Sequence, residues 1–531
     1  MPQEAASNPD APGRLMSSKA ALSVLNGVLG AVLSTTALVF IAKNMGPSVL
    51  GILGFGIATI GMLSFLSDFG VGSVHVRHMK SSVDQARCIG AYAAIRITLL
   101  IIFACVTVAG IELWKAGYLG SEMPTDPMLR HAMIDTMYVF LVYYILLGIS
   151  QISTHTFDAL DAVAKVHVPA ILELVVRVSF IVYISMSVWG TTSNGPALLA
   201  SAYSAGIITS ILLTALLMRR YPVKMPDRAI LMKYISSLAP VFIVSSIIMI
   251  DLYLDKVLVG VFWGERELGL YFAVQRMAVF VGVFSLSVAT LILPSVTTYF
   301  KRDDVTASWD IVNQAERYVS LIVIPTAAFY LTFGPDILRV FLTDDFVAAV
   351  NTMSVLVVSS TVLALVLPLR SVIIGVGRSG TLFKIGLAGI AIQLVLLLVL
   401  VPADLWGVQM LGLKRLGAAL ALLGTSVFYF FTLRYMAWRV GKILPYSRSF
   451  RHLLAALVMV GVMYVVKWAL MPTVDWIALV SLAVVGFVAY TLAVYFLEEL
   501  NRADYRYFRT MLNPQDTFQY VVNELLGKRS Q

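Results

Sequence analysis

The chain predicts an all-α integral membrane fold: about fourteen transmembrane helices, arranged as two pseudo-symmetric six-helix lobes around a central cavity plus two C-terminal helices. Three features carry that expectation. Roughly fourteen apolar stretches of about twenty residues run from Lys19 to Glu498, with only short polar loops between them. A hydrocarbon core about 30 Å thick needs about twenty helical residues to cross it. Backbone groups in lipid must be satisfied within the segment, so each crossing has to be a helix. Composition agrees: of 531 residues 59% are apolar and 13% charged, and mean hydropathy is +0.86, whereas soluble domains are about a quarter charged. The third feature is an internal repeat.

In order, spans are expected near 19–43, 48–70, 88–111, 132–153, 166–188 and 196–218. A second set follows near 234–260, 269–294, 316–334, 347–368, 380–401 and 416–436, then two more near 452–470 and 476–498. This divides the chain into a polar cytoplasmic N-terminus (1–18), an N-lobe (19–218) and a C-lobe (219–436) opened by a basic linker (219–233). The extra helix pair (437–498) and a cytoplasmic amphipathic tail (499–531) complete it. The first eighteen residues contain no apolar core of a signal peptide, so the first span is expected to insert uncleaved.

Direction comes from basic residues in the short loops, which cells keep in the cytoplasm. Loops after even-numbered spans, with the helix ends beside them, hold 20 Lys and Arg, among them Arg77, Arg219, Arg370 and Arg448; those after odd-numbered spans hold 8. That alternation places both termini in the cytoplasm. The net charge of +9 therefore suits anionic lipid at helix ends and excludes a nucleic-acid face. Cys88 and Cys105 fall on one expected helix and cannot bridge, and the six histidines are scattered. No metal site or disulfide framework is expected.

The repeat has two parts. GPSVLGILGFG (46–56) aligns with GERELGLYFAV (264–274) at an offset of 218, pairing Gly46, Leu50 and Gly51 with Gly264, Leu268 and Gly269. ALDAVAKVHVPAIL (159–172) aligns with GVGRSGTLFKIGLA (375–388) at an offset of 216. Six spans per repeat keep both halves in one orientation, related by an axis along the membrane normal.

Charged residues inside spans are costly in lipid and usually face a cavity or one another. Here they are Arg96, the i,i+4 pair Glu173 and Arg177, Asp251, Asp255 and Lys256, and Arg276 beside Gln275. Glu173 and Arg177 read equally as a self-neutralising pair. Asp255 and Lys256 read equally as a wet pair near the outer interface. Arg276 has no opposite charge within a turn of its own helix, so it either lines the path or pairs with Asp251 or Asp255. Asp68 is expected to cap the end of its helix.

AKNMGPSVLGILGFGIATIGMLSFLSDFGVGS (42–73), DLYLDKVLVGVFWGERELGLYFAVQRM (251–277) and AERYVSLIVIPTAAFYLTFGPDILRVFL (315–342) resemble, in this order and spacing, the Wzx-type polysaccharide flippases. These belong to the multidrug/oligosaccharidyl-lipid/polysaccharide exporter (MOP) superfamily. The resemblance covers most of residues 19–440, and the last two spans resemble the extra pair of its fourteen-span members. It implies translocation of a polyisoprenoid (pyro)phosphate-linked oligosaccharide from the inner to the outer leaflet by alternating access. It further implies that basic cavity residues, here Arg276, Arg177 and Arg96, bind the anionic substrate. Arginine's forked donors suit phosphate oxygens. Bending of spans one and seven is how such proteins open, and proline removes a backbone hydrogen bond, so Pro240 reads as a hinge candidate or equally as a static kink fixed by packing. With no nucleotide-binding motif, an ion gradient is the expected drive, coupled through Asp251, Asp255 or Glu173. Membrane lipids, and a glycan polymerase or ligase, are the expected partners, with no cofactor and no catalytic residue. A MATE-like drug exporter is the alternative. A membrane glycosyltransferase or ligase is more remote, because no loop is long enough to hold an active site.

Overall fold

The computed structural model describes residues 11–82, 84–117, 126–187, 194–282, 285, 305–442, 444, 446–470 and 474–499. The tail beyond 499, the far part of span eight and the first ten residues lie outside the described residues. Helices α1 (Ala11–Leu63), α2 (Phe65–Asp68), α3 (Val71–Ser81), α4 (Gln85–Lys115), α5 (Pro127–Ala159), α6 (Val163–Met186) and α7 (Gly195–Met218) form the first lobe. The second lobe consists of α8 (Arg228–Val279), α9 (Val305–Phe341), α10 (Val350–Gly375), α11 (Ser379–Leu400) and α12 (Lys414–Gly441). A two-residue-per-strand hairpin, β1 (Asp404–Leu405) and β2 (Val408–Gln409), lies between α11 and α12. The extra pair is α13 (Ser449–Leu470) and α14 (Trp476–Phe496). Carboxylates start several helices: Asp84, Asp126 and Asp475 each accept a backbone N–H of the first turn. Ile101, Leu212, Leu457 and Phe487 face outward, as lipid-facing side chains do in a multi-pass membrane protein.

Eleven described stretches are long and apolar enough to cross a membrane. One of them, Leu25–Ser81, contains a break, and α8 is not among them. Both α1 and α8 are two limbs joined at a glycine. Gly46 has φ 77° and ψ −177°. Gly264 has φ 79° and ψ −177°. Only glycine enters this region without strain. The limbs of α8 fold back on each other: a Cβ at Gly260 would lie 3.0 Å from Leu268 Cδ2, although eight residues of straight helix span about 12 Å. The second aligned pair agrees as well. Asp161 (φ 53°) and Gly377 (φ 77°), 216 residues apart, both turn left-handed between two helices. The repeat in sequence is thus a repeat in backbone.

Two sequence expectations change here. Residues 71–81, expected as loop, form α3, which carries His75, Val74 and Met79 into the interior while Lys80 stays outside. Asp68 ends α2 not as a cap but as an acceptor for Arg96. Helix α8 is helical through Pro240 and leaves helical geometry at Gly264.

The extra pair docks at both ends. Near the basic loops, buried Glu499 meets Arg317 of α9 and Arg451 of α13, and it accepts the Tyr446 hydroxyl at 2.6 Å. Burial and this bond push the Tyr446 phenol up to about 12. At the opposite end Lys467 of α13 pairs with Asp336 of α9.

Candidate functional site

A cavity of about 1050 Å³ lies between the first limb of α1 and the second lobe. Ser23 and Gly27 of α1 face Ile247 and Asp251 of α8, Arg370 of α10 and Gln393 of α11 across it. Glycine makes the room: nothing lies within 4 Å of where a Cβ would sit on Gly27 or on Gly386 of α11, which also lines the cavity. Leu363, Phe383 and Ile390 make much of the wall apolar.

Its charges are separated in depth. Arg370 is five residues from the end of α10 that leads into the basic loop, or about 7.5 Å along the helix. Gln393 Nε2 donates to the Asp251 carbonyl at 3.5 Å, fourteen residues along α11 from that same end, or about 21 Å. The Tyr429 hydroxyl, between these levels, donates to the Gly386 carbonyl at 3.3 Å. The cavity therefore reaches the basic end of the bundle, with a cation near its mouth and a carboxylate in its depth.

At the other end the lobes are sealed together. A Cβ on Gly51 would sit 1.7 Å from the Glu265 carbonyl oxygen, and one on Gly269 would sit 1.8 Å from that of Pro47. The first lobe also grips the start of α8. Phe69 stacks on Phe242 at 4.1 Å, His75 Nδ1 lies 3.0 Å from Tyr234 Oη, and Arg87 pairs with Asp227.

The sequence candidates divide into three kinds. Asp251 faces the cavity. Arg276 is exposed on the returning limb of α8 and has no carboxylate partner among the described residues; its guanidinium lies 5.1 Å from the Phe272 ring centre. The expected pairing of Arg276 with Asp251 or Asp255 is therefore not found. Asp255 is 1% exposed and turned inward. It holds Lys256 Nζ at 3.0 Å and accepts from Tyr271 at 2.7 Å and Gln275 at 2.8 Å. The pair read as a wet one near the surface is instead a buried knot joining the two limbs of α8.

Glu173 and Arg177 form the i,i+4 pair, 3.0 Å apart and half-buried, with Arg177 over the Tyr203 ring. Arg96 is 1% exposed and has four acceptors: Ser67 O and Asp68 Oδ1 at 2.6 Å, Gly148 O at 3.2 Å, and Gln151 Oε1. Its donors are spent on α2 and α5. Sequence reasoning missed Arg370, which it had assigned to a loop, together with Gln393 and Tyr429. The signal for Arg370 was present: it sits within an apolar run that continues to Val376. Among the described residues no cluster of His, Cys, Asp and Glu has a metal-binding arrangement.

Comparison with known proteins gives a consistent set of matches. Residues 17–300 match the family described as "Polysaccharide biosynthesis protein". The chain is 20% identical over 450 residues to the probable low-salt glycan biosynthesis flippase Agl15 of Haloferax volcanii, covering 82% of this chain and 87% of that one. The lipid II flippase MurJ in an inward closed conformation superposes with a TM-score of 0.71 at 14% identity, over 90% of this chain and 98% of that one. An inward-facing MATE family multidrug transporter of the MOP superfamily gives 0.61 at 13% identity, over 78% and 96%. The fold is the one these transporters share.

Proposed function

Because this chain belongs to the polysaccharide biosynthesis protein family, we propose that it is a flippase. It carries a polyisoprenoid-linked oligosaccharide from the cytoplasmic to the outer leaflet by alternating access. The observation that carries this reading is the cavity between the lobes, which reaches the basic end while the Gly51 and Gly269 contacts close the other. Basic loops favour the cytoplasm, so the cavity faces the side where the substrate is made. The chain then crosses the cell membrane fourteen times, with both termini inside. The protein works without catalysis of its own, and a glycan polymerase or ligase takes its product.

Asp251, the cavity-facing carboxylate, is the ion-coupling group under this reading. Asp255 and Glu173 are committed to partners. Arg276 lines the path further along, beyond the described cavity wall. A hinge at Pro240 belongs to the same proposal, with Gly264 as the fixed turn about which α8 moves. The MATE fold leaves a drug exporter as the second reading, and the family match ranks it second.

Deletion of the gene should leave lipid-linked oligosaccharide on the cytoplasmic leaflet with glycosyltransferase activity intact. Loss of the lipid-linked precursor itself, or normal surface glycan with altered drug resistance, would overturn the proposal.

A further inference from the structure

We infer that Arg370 is an anion-binding residue at the cavity mouth, taking the phosphate of a lipid headgroup. Arginines in or near the spans mostly have a carboxylate: Asp68 for Arg96, Glu173 for Arg177, Glu267 for Arg415 and Glu316 for Arg434. Arg370 has no such partner among the described residues, and its side chain is exposed to the cavity. An isolated guanidinium on an apolar helix is costly unless water or an anion meets it, and its fork of donors fits a phosphate's oxygens.

Depth selects the ligand. Counted along α10, Arg370 is about 7.5 Å from the helix end, within side-chain reach of a headgroup phosphate that enters at the mouth. The Ser379 hydroxyl lines the same mouth and offers a second donor. Asp251 lies about 13 Å further in along the helix axes, and its carboxylate repels a phosphate. An amphipath with a phosphate between its chain and its uncharged head group is therefore held at Arg370, with the head group in the deeper cavity among Tyr429, Gln393 and Asp251. The residue is on α10 and is not one of the candidates Arg276, Arg177 and Arg96. The inference rests on the flippase reading for the kind of lipid it names.

The test is binding of polyprenyl diphosphate, polyprenol and inorganic pyrophosphate to the full-length protein in nanodiscs of neutral lipid. Arg370→Ala should weaken polyprenyl diphosphate binding by about tenfold, one charge-assisted hydrogen bond's worth. Arg370→Lys should fall between. Arg219→Ala, the same charge change in the linker between α7 and α8, should bind like the unaltered protein, and polyprenol should bind weakly to all. An unaltered melting temperature of Arg370→Ala keeps the comparison valid, and Arg370→Lys serves in its place if that variant does not fold. Equal binding by the Arg370 variants, or equal loss in Arg219→Ala, overturns the site. Pyrophosphate binding with the same Arg370 dependence and no gain from the lipid chain overturns the lipid source. Failure of the unaltered protein to bind any polyprenyl diphosphate contradicts the flippase reading itself.

Discussion

Gly51 lies so close to Glu265 that a Cβ on the glycine would sit 1.7 Å from the glutamate's carbonyl oxygen, and the repeat reproduces the contact between Gly269 and Pro47. Glu265 follows Pro47 by 218 residues, as Gly269 follows Gly51. Each lobe thus uses its glycine to admit the other lobe's turn, and the seal between the lobes is itself two-fold.

Side chains at these glycines should therefore open the seal. Gly51→Val and Gly269→Val together place branched carbons where backbone already stands. Spin labels at Ser48 and Arg266 should separate by several ångströms relative to the unaltered chain, and flipping should fall. An unchanged distance distribution would show that the seal has another source.

Arg276 should tolerate removal structurally but not functionally. It is exposed and has no carboxylate to strand. Arg276→Ala should insert and melt like the unaltered protein yet lose flipping, and Arg276→Lys, which keeps the charge and loses the fork, should retain part of it. Full flipping by a well-expressed Arg276→Ala would remove this residue from the path.

Arg96 should behave in the opposite way. Its four acceptors and 1% exposure make it a tie between α4, α2 and α5. Taking one partner from a buried ion pair typically costs about 3–5 kcal/mol. Arg96→Met should lower thermal stability by that order, and adding Asp68→Asn should recover part of it. A stable Arg96→Met that binds substrate poorly would instead place Arg96 in substrate recognition.

These contrasts mark how far the sequence reaches. The glycine turns at Gly46 and Gly264, and the helix ends flanking Asp161 and Gly377, are legible because backbone conformation is local and only certain residues suit it. Helix α3 is not, because HVRHMKSS looks like loop until Tyr234 and Thr156 arrive to satisfy His75. The depth of Asp255 is equally hidden, since Tyr271 and Gln275 reach it only after α8 folds back. Arg370 is masked for a different reason: a charge near a helix end reads as loop when only hydropathy is counted.

Asp251→Asn should uncouple transport from the ion gradient. Its carboxylate faces the cavity, whereas Asp255 is held by Lys256, Tyr271 and Gln275. In proteoliposomes Asp251→Asn should abolish the gradient's acceleration of flipping, while Glu173→Gln retains it and Asp255→Asn mainly reduces stability. Gradient-driven flipping unchanged in Asp251→Asn would assign the coupling elsewhere.

The central claim is that the two lobes move a glycan-bearing lipid between leaflets. Purified protein should be reconstituted with lipid-linked oligosaccharide, and the fraction accessible to an impermeant glycan-cleaving enzyme followed over time. The account predicts complete access with the unaltered chain, and access limited to the outer leaflet both in empty vesicles and with Arg276→Ala. Access no greater than in empty vesicles, under an imposed ion gradient and with folded protein, would contradict it.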